Sequence, residues 1–96
     1  MATLFFTVWE VAGSTPDGDV LQEESISIGA ASVQGSAITG SGKRKRQVRI
    51  FCDADAFVTW GSDPTASSSD GRPMGQDNPE YFTLEAGQKI ATIERA

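Results

Sequence analysis

Apolar and polar positions along this chain alternate with a period near two, the spacing of strands half buried against a core. Thr3 to Val11 is rich in β-branched and aromatic residues, with Leu4, Phe6 and Val8 on one face and Phe5, Thr7 and Trp9 on the other. Apolar side chains on both faces predict a strand that is covered twice. Glu24 to Gly29 alternates more cleanly, with Ile26 and Ile28 inward, and a weaker continuation runs from Val33 to Ile38. Gln47 to Asp53 sets Val48, Ile50 and Cys52 against Arg49 and Phe51, and Ala56 to Gly61 resumes a strand composition. These two runs predict a hairpin around the short acidic turn Asp53-Ala54-Asp55. A second hairpin is predicted from Glu80–Leu84 and Lys89–Ile93, joined by Glu85-Ala86-Gly87-Gln88, where Gly87 can take a positive φ.

The segments between these runs read as loops. Ala12 to Asp19 carries the glycine, proline and aspartate of a surface turn. Residues 39–46 combine a glycine and serine stretch with four consecutive cations, which predicts a flexible linker. Residues 62–79, dominated by Ser, Asp, Gly, Pro and Thr, predict a long polar loop of the kind that carries binding. No helical period of sufficient length occurs. The expected architecture is all-β, a single domain over residues 1–96 built as a small antiparallel sandwich or barrel of jelly-roll type.

Composition narrows the classes. The chain has 96 residues, 39% of them hydrophobic and 22% charged, which is enough apolar material for one modest core and above the composition of disordered chains. A core of this size is marginal alone, so association with a partner or with further copies is expected. One cysteine excludes an internal disulfide and a thiolate metal cluster. The N-terminal residues lack the basic and long apolar regions of a secretory signal, and no run approaches the roughly 20 apolar residues of a membrane span. Synthesis and assembly in a cytoplasm, away from any membrane, are the expectation.

Charge is polarised. The formal net charge is −5, and Lys43, Arg44, Lys45 and Arg46 are four of the eight basic residues, so the remainder carries −5 − 4 = −9. Such a run can dock on an acidic protein surface, neutralise phosphates or lie solvated in a loop. Nucleic acid is the least favoured of the three, because the chain is acidic overall and no stacking aromatics accompany the run. With Asp63, Asp70 and Arg72 of the polar loop, these four residues are the candidate partner-binding set.

Catalysis finds little support. Histidine is absent, which removes the usual proton shuttle, the commonest zinc ligand and the Ser-His and Cys-His pairs. Asp53 and Asp55 could in principle form a carboxylate pair or touch calcium, but the cleft and the further oxygen ligands are missing, and a polar turn is the simpler account. Gly40-Ser41-Gly42-Lys43 lacks the first glycine and spacing of a phosphate loop. Cys52 shares a face with Val48 and Ile50, as a buried thiol would. Trp9 and Trp60 could stack on sugar rings, although tryptophans inside strands more commonly fill a core or a subunit contact. No catalytic residue, metal or cofactor is expected.

The stretch from Val48 through Gly61-Ser62-Asp63-Pro64-Thr65-Ala66, with Pro79-Glu80-Tyr81-Phe82 and Gly87-Gln88-Lys89-Ile90-Ala91, resembles a family of small tailed-bacteriophage virion proteins. That family has a Gly-x-x-Pro-Thr-Ala motif after a hairpin, matched by Gly61, Pro64, Thr65 and Ala66, and a later Pro-Gly-x-Lys turn, where Glu85-Ala86 stands in place of the proline. The opening Met1-Ala2-Thr3-Leu4 before an aromatic strand is also similar. The resemblance implies a virion component assembled in the host cytoplasm: a capsid decoration or cement protein on the major capsid protein lattice, present as a homo-oligomer. A tail, fibre or connector component binding a receptor glycan or DNA is the alternative.

Overall fold

A computed structural model of the chain describes residues 2–10, 20–40, 45–67, 69 and 71–95. Its eight strands are β1 (Thr3–Glu10), β2 (Val20–Ser27), β3 (Val33–Gln34), β4 (Lys45–Cys52), β5 (Ala56–Gly61), β6 (Arg72–Met74), β7 (Glu80–Glu85) and β8 (Lys89–Glu94). They form two four-stranded antiparallel sheets, ordered β2-β1-β4-β7 and β3-β8-β5-β6. No helix occurs among the described residues. This is the expected all-β sandwich. Counting β1 after β8, the two orders become 1-8-3-6 and 2-7-4-5, a jelly-roll arrangement whose last strand opens the chain.

The core lies between the sheets and follows the period-two pattern. Leu4, Phe6 and Val8 of β1 and Val48, Ile50 and Cys52 of β4 face Ala56 and Val58 of β5, Met74 of β6 and Ile90 of β8. Ile26, Ile28, Ile38 and Leu84 complete it, and Trp60 and Phe82 pack against its margin, their rings 4.6 Å apart. Burial of this apolar set is the main favourable term of folding.

Both expected hairpins are instead connections between the sheets. β4 lies in the first sheet and β5 in the second, and β7 and β8 divide in the same way. Each strand of such a pair presents one apolar stripe, and crossing over lets both stripes meet the one core from opposite sides. The acidic turn is built for the crossing: Asp53 accepts a hydrogen bond from the Thr3 N–H (2.6 Å), and Asp55 accepts one from the Gln76 N–H (2.8 Å). At the other crossing Gly87 adopts φ 91°, and its N–H donates to the Ile38 carbonyl (2.8 Å).

Other boundaries also move. The second strand starts at Val20 rather than Glu24, and the continuation beyond Val33 forms strand only over two residues. Residues 35–39 stay beside β8 without regular pairing, the Gly35 N–H donating to the Ile90 carbonyl (2.9 Å) and the Ile38 N–H to the Gln88 carbonyl (2.8 Å), and two β2 side chains reach across to them. There the Ser36 N–H donates to Glu24 (2.8 Å), the Thr39 N–H donates to Gln22 (2.8 Å), and the Gln22 side-chain amide donates to the Ala37 carbonyl (3.3 Å). These contacts use the Gln22 and Glu24 side chains rather than the β2 backbone, and they tie the segment to the first sheet. The linker expected over 39–46 ends early, because Lys45 and Arg46 already belong to β4 and pair with Glu85 and Leu84 of β7. The long loop over 62–79 is interrupted by β6, whose Met74 is fully buried.

Candidate docking face

The two sheets are finished differently on their outer sides. From Gly61, at the end of β5, the chain crosses to β3. The Gln34 side-chain amide donates to Asp63 (2.9 Å) and to the Pro64 carbonyl (2.7 Å), and the Ala66 N–H donates to the Ser32 hydroxyl (2.9 Å). β8 lies between β5 and β3, so the crossing passes over it. Pro64 and Ala66 are accordingly buried, and so is Ala91 on the outward side of β8. The chain then returns to β6, with Gly71 so close to Phe57 and the Ser67 carbonyl that an added Cβ would lie 2.9 Å from each. The chain's own residues 62–67 therefore cover the outer side of β8 in the second sheet, while Val33 of β3 stays exposed.

The first sheet has no such cover among the described residues. Its inner positions on β1 are Leu4, Phe6 and Val8, so Phe5, Thr7 and Trp9 face outward, and the described residues place no second cover over β1. Cross-strand register sets Phe51 and Ser25 beside Phe5, Arg49 and Glu23 beside Thr7, Gln47 and Val20 beside Trp9, and Tyr81 beside Arg49. The face thus carries four aromatic rings around one guanidinium. Phe5 and Phe51 meet at 6.2 Å, Trp9 and Tyr81 stack at 6.5 Å, and Arg49 lies 5.5 Å from the centre of the Phe51 ring. Phe5, Val20 and Tyr81 remain 44%, 49% and 53% exposed.

The residues singled out from sequence are placed elsewhere. Lys45 is exposed and forms a long ion pair with Glu85 (3.9 Å), whereas Arg46 is buried and donates from Nε to the Thr39 carbonyl (3.0 Å). Lys43, Arg44 and Asp70 lie outside the described residues. Asp63 is engaged by Gln34, and Arg72 pairs with Glu80 (2.9 Å) while its guanidinium sits 5.3 Å from the centre of the Phe82 ring. The described members of the set are thus each tied to another part of the fold. Phe5, Trp9, Arg49, Phe51 and Tyr81 were not in the set. The signal that finds them is the complement of the core pattern, the odd positions of β1 and β4, once register places those strands side by side.

Chemistry on this fold is limited by what surrounds each reactive group. The Cys52 thiol is fully buried, and desolvation, reinforced by the negative charges of Asp53 and Glu80, pushes its pKa up to about 11. It is a protonated core group at neutral pH rather than a nucleophile. Among the described residues, no three or more of His, Cys, Asp and Glu are grouped as metal ligands. No described helix is long and apolar enough to cross a membrane. In comparison with known proteins, no family model, curated sequence or solved structure matches the chain.

Proposed function

We propose that this chain is a non-catalytic structural module of a virion, a decoration protein that attaches to the capsid lattice of a tailed bacteriophage through the outer face of the β2-β1-β4-β7 sheet. The observation that carries this reading is the asymmetry of the sandwich among the described residues: residues 62–67 lie over the outer side of β8 in one sheet, and the other gathers exposed Phe5 and Tyr81 with half-buried Trp9, Arg49 and Phe51 on one uncovered face. Aromatic residues and arginine are the side chains most enriched in protein interfaces and their energetic centres. A charged residue set among rings on an open sheet face with only a shallow recess suits a protein surface better than a small molecule, which needs an enclosing pocket. The absence of histidine, the protonated thiol and the structural use of Asp53 and Asp55 support a binding role over a catalytic one.

The particle, as opposed to any other protein partner, is supported by the resemblance of the Gly61–Ala66 and Pro79–Phe82 segments to virion proteins; a sandwich alone would not select it. A domain of about 10 kDa offers only a small contact per copy, and many copies on a repeating shell make up in number what each lacks in affinity. Purified chain added to undecorated heads and imaged by electron cryo-microscopy tests the reading. Density repeated over the head lattice is expected. Density only at a tail vertex, or heads that remain bare, would overturn it.

A further inference from the structure

The open face is self-complementary, and we propose that it pairs with the same face of a second copy about a two-fold axis running along β1. The inference rests on the docking role given to this face and concerns the chain away from the capsid, where a second copy occupies the face in place of the lattice. Two observations on the outer surface carry it. Arg49 and Phe51 of β4 form a ridge, the guanidinium packed 5.5 Å from the ring centre. On the opposite side of β1 lies a shallow recess of about 330 Å³ lined by Phe5, Thr7, Glu23 and Ser25, among others. Ridge and recess flank the same strand at the same heights, because Phe5 pairs with both Phe51 and Ser25, and Thr7 with both Arg49 and Glu23.

Two sheets packed face to face can be related by a two-fold lying in the plane between them, either along the strands or across them. The axis across the strands, drawn through the Thr7 row, would set Arg49 against its own copy and leave two like charges facing. The axis along β1 exchanges β2 and β4. Arg49 of one copy then lies over Glu23 of the other, and Phe51 lies over Ser25. Each opposite-charge contact and each large-on-small contact occurs twice. Charge and shape therefore select the same axis.

The pair is weak in free solution. Three overlapping strands about 4.8 Å apart, each contributing about six residues at about 3.4 Å, give a flat footprint of about 300 Å² per copy. Standard stable interfaces bury about 800 Å² per partner. Tyr81, on β7, projects beyond the overlapped strands and stays available at the rim.

Sedimentation of the full chain up to about 1 mM tests the pairing. A reversible monomer–dimer equilibrium is expected. Glu23→Arg or Arg49→Glu alone should weaken it at least about tenfold, since each change places like charges together at both symmetric contacts. The double variant Glu23→Arg/Arg49→Glu should recover dimerisation to within about threefold, the contact being restored with its polarity exchanged. A chain that is monomeric throughout, or a double variant with wild-type melting temperature that stays as weak as the singles, would overturn the proposal. Heads that bind a strictly monomeric chain would overturn the pairing and leave attachment standing. A charge-sensitive dimer that leaves heads bare would overturn attachment and leave the pairing.

Discussion

Replacing Gln34 by alanine tests whether residues 62–67 are a structural cover. The Gln34 amide supplies hydrogen bonds to Asp63 (2.9 Å) and Pro64 (2.7 Å), and these tie the crossing to β3. A net hydrogen bond in a folded protein contributes about 0.5–1.5 kcal/mol, so the two together would give about 1–3 kcal/mol. Asp63 is exposed and regains water when its partner is removed, which places the expected loss at about 1–2 kcal/mol. For a domain of this size that is a fall in melting temperature of at least about 4 °C by calorimetry. Cleavage within residues 62–71 by a non-specific protease should also accelerate, as the cover opens ahead of the core. Gln76→Ala is the control, since Gln76 reaches Asp55 through its backbone N–H. A Gln34→Ala protein that melts within about 2 °C of wild type and is cut no faster would refute the cover, and with it the asymmetry between the two sheets.

Neighbouring phenylalanines should separate the two faces of β1. Phe6→Ala, at a fully buried position, should cost about 3–5 kcal/mol in denaturant unfolding, while Phe5→Ala should cost under about 1.5 kcal/mol and act on docking instead. Similar losses from both would contradict the register. Alkaline stability should report Cys52. Its pKa is near 9 when unfolded and about 11 when folded, so the unfolded state loses the proton first, and stability falls by about 2 kcal/mol as pH rises from about 9 to about 11. Cys52→Val should flatten that part of the profile, and an unchanged slope would assign it to other groups. In the folded wild type, thiol reagents at neutral pH should react orders of magnitude more slowly than in denaturant.

Much of the fold is written in the period-two pattern, and the parts that are not have physical reasons. Leu4, Phe6, Val8, Val48, Ile50 and Cys52 form the core they were expected to form, because alternation of this kind fixes which side of a strand is inward. Alternation does not specify which strand a neighbour pairs with. Asp53-Ala54-Asp55 is short enough for a hairpin, yet the bonds from Thr3 and Gln76 turn it into a crossing, and those partners are 50 and 21 residues away. The polarity of residues 62–67 suggested a free loop, whereas the polar groups of Asp63 and of the Pro64 and Ala66 backbone are used by Gln34 and Ser32. Arg46 looked like a member of a solvated basic run and instead occupies an inward position of β4, with its Nε bonded to Thr39. The docking face was hidden for the same reason. Phe5, Phe51, Trp9, Arg49 and Tyr81 come from three separate strands, and only their register makes them one surface.

Hydroxyl-radical footprinting of the aromatic side chains, with the chain free in dilute solution and then bound to heads, tests the central claim most directly. Oxidation of Phe5, Trp9, Phe51 and Tyr81 should fall several-fold on docking, while Trp60 and residues 62–71 should react as before. Protection of the 62–71 segment with unchanged oxidation of Trp9 and Tyr81 would contradict the account, because it would place the partner on the sheet that the chain has already covered for itself.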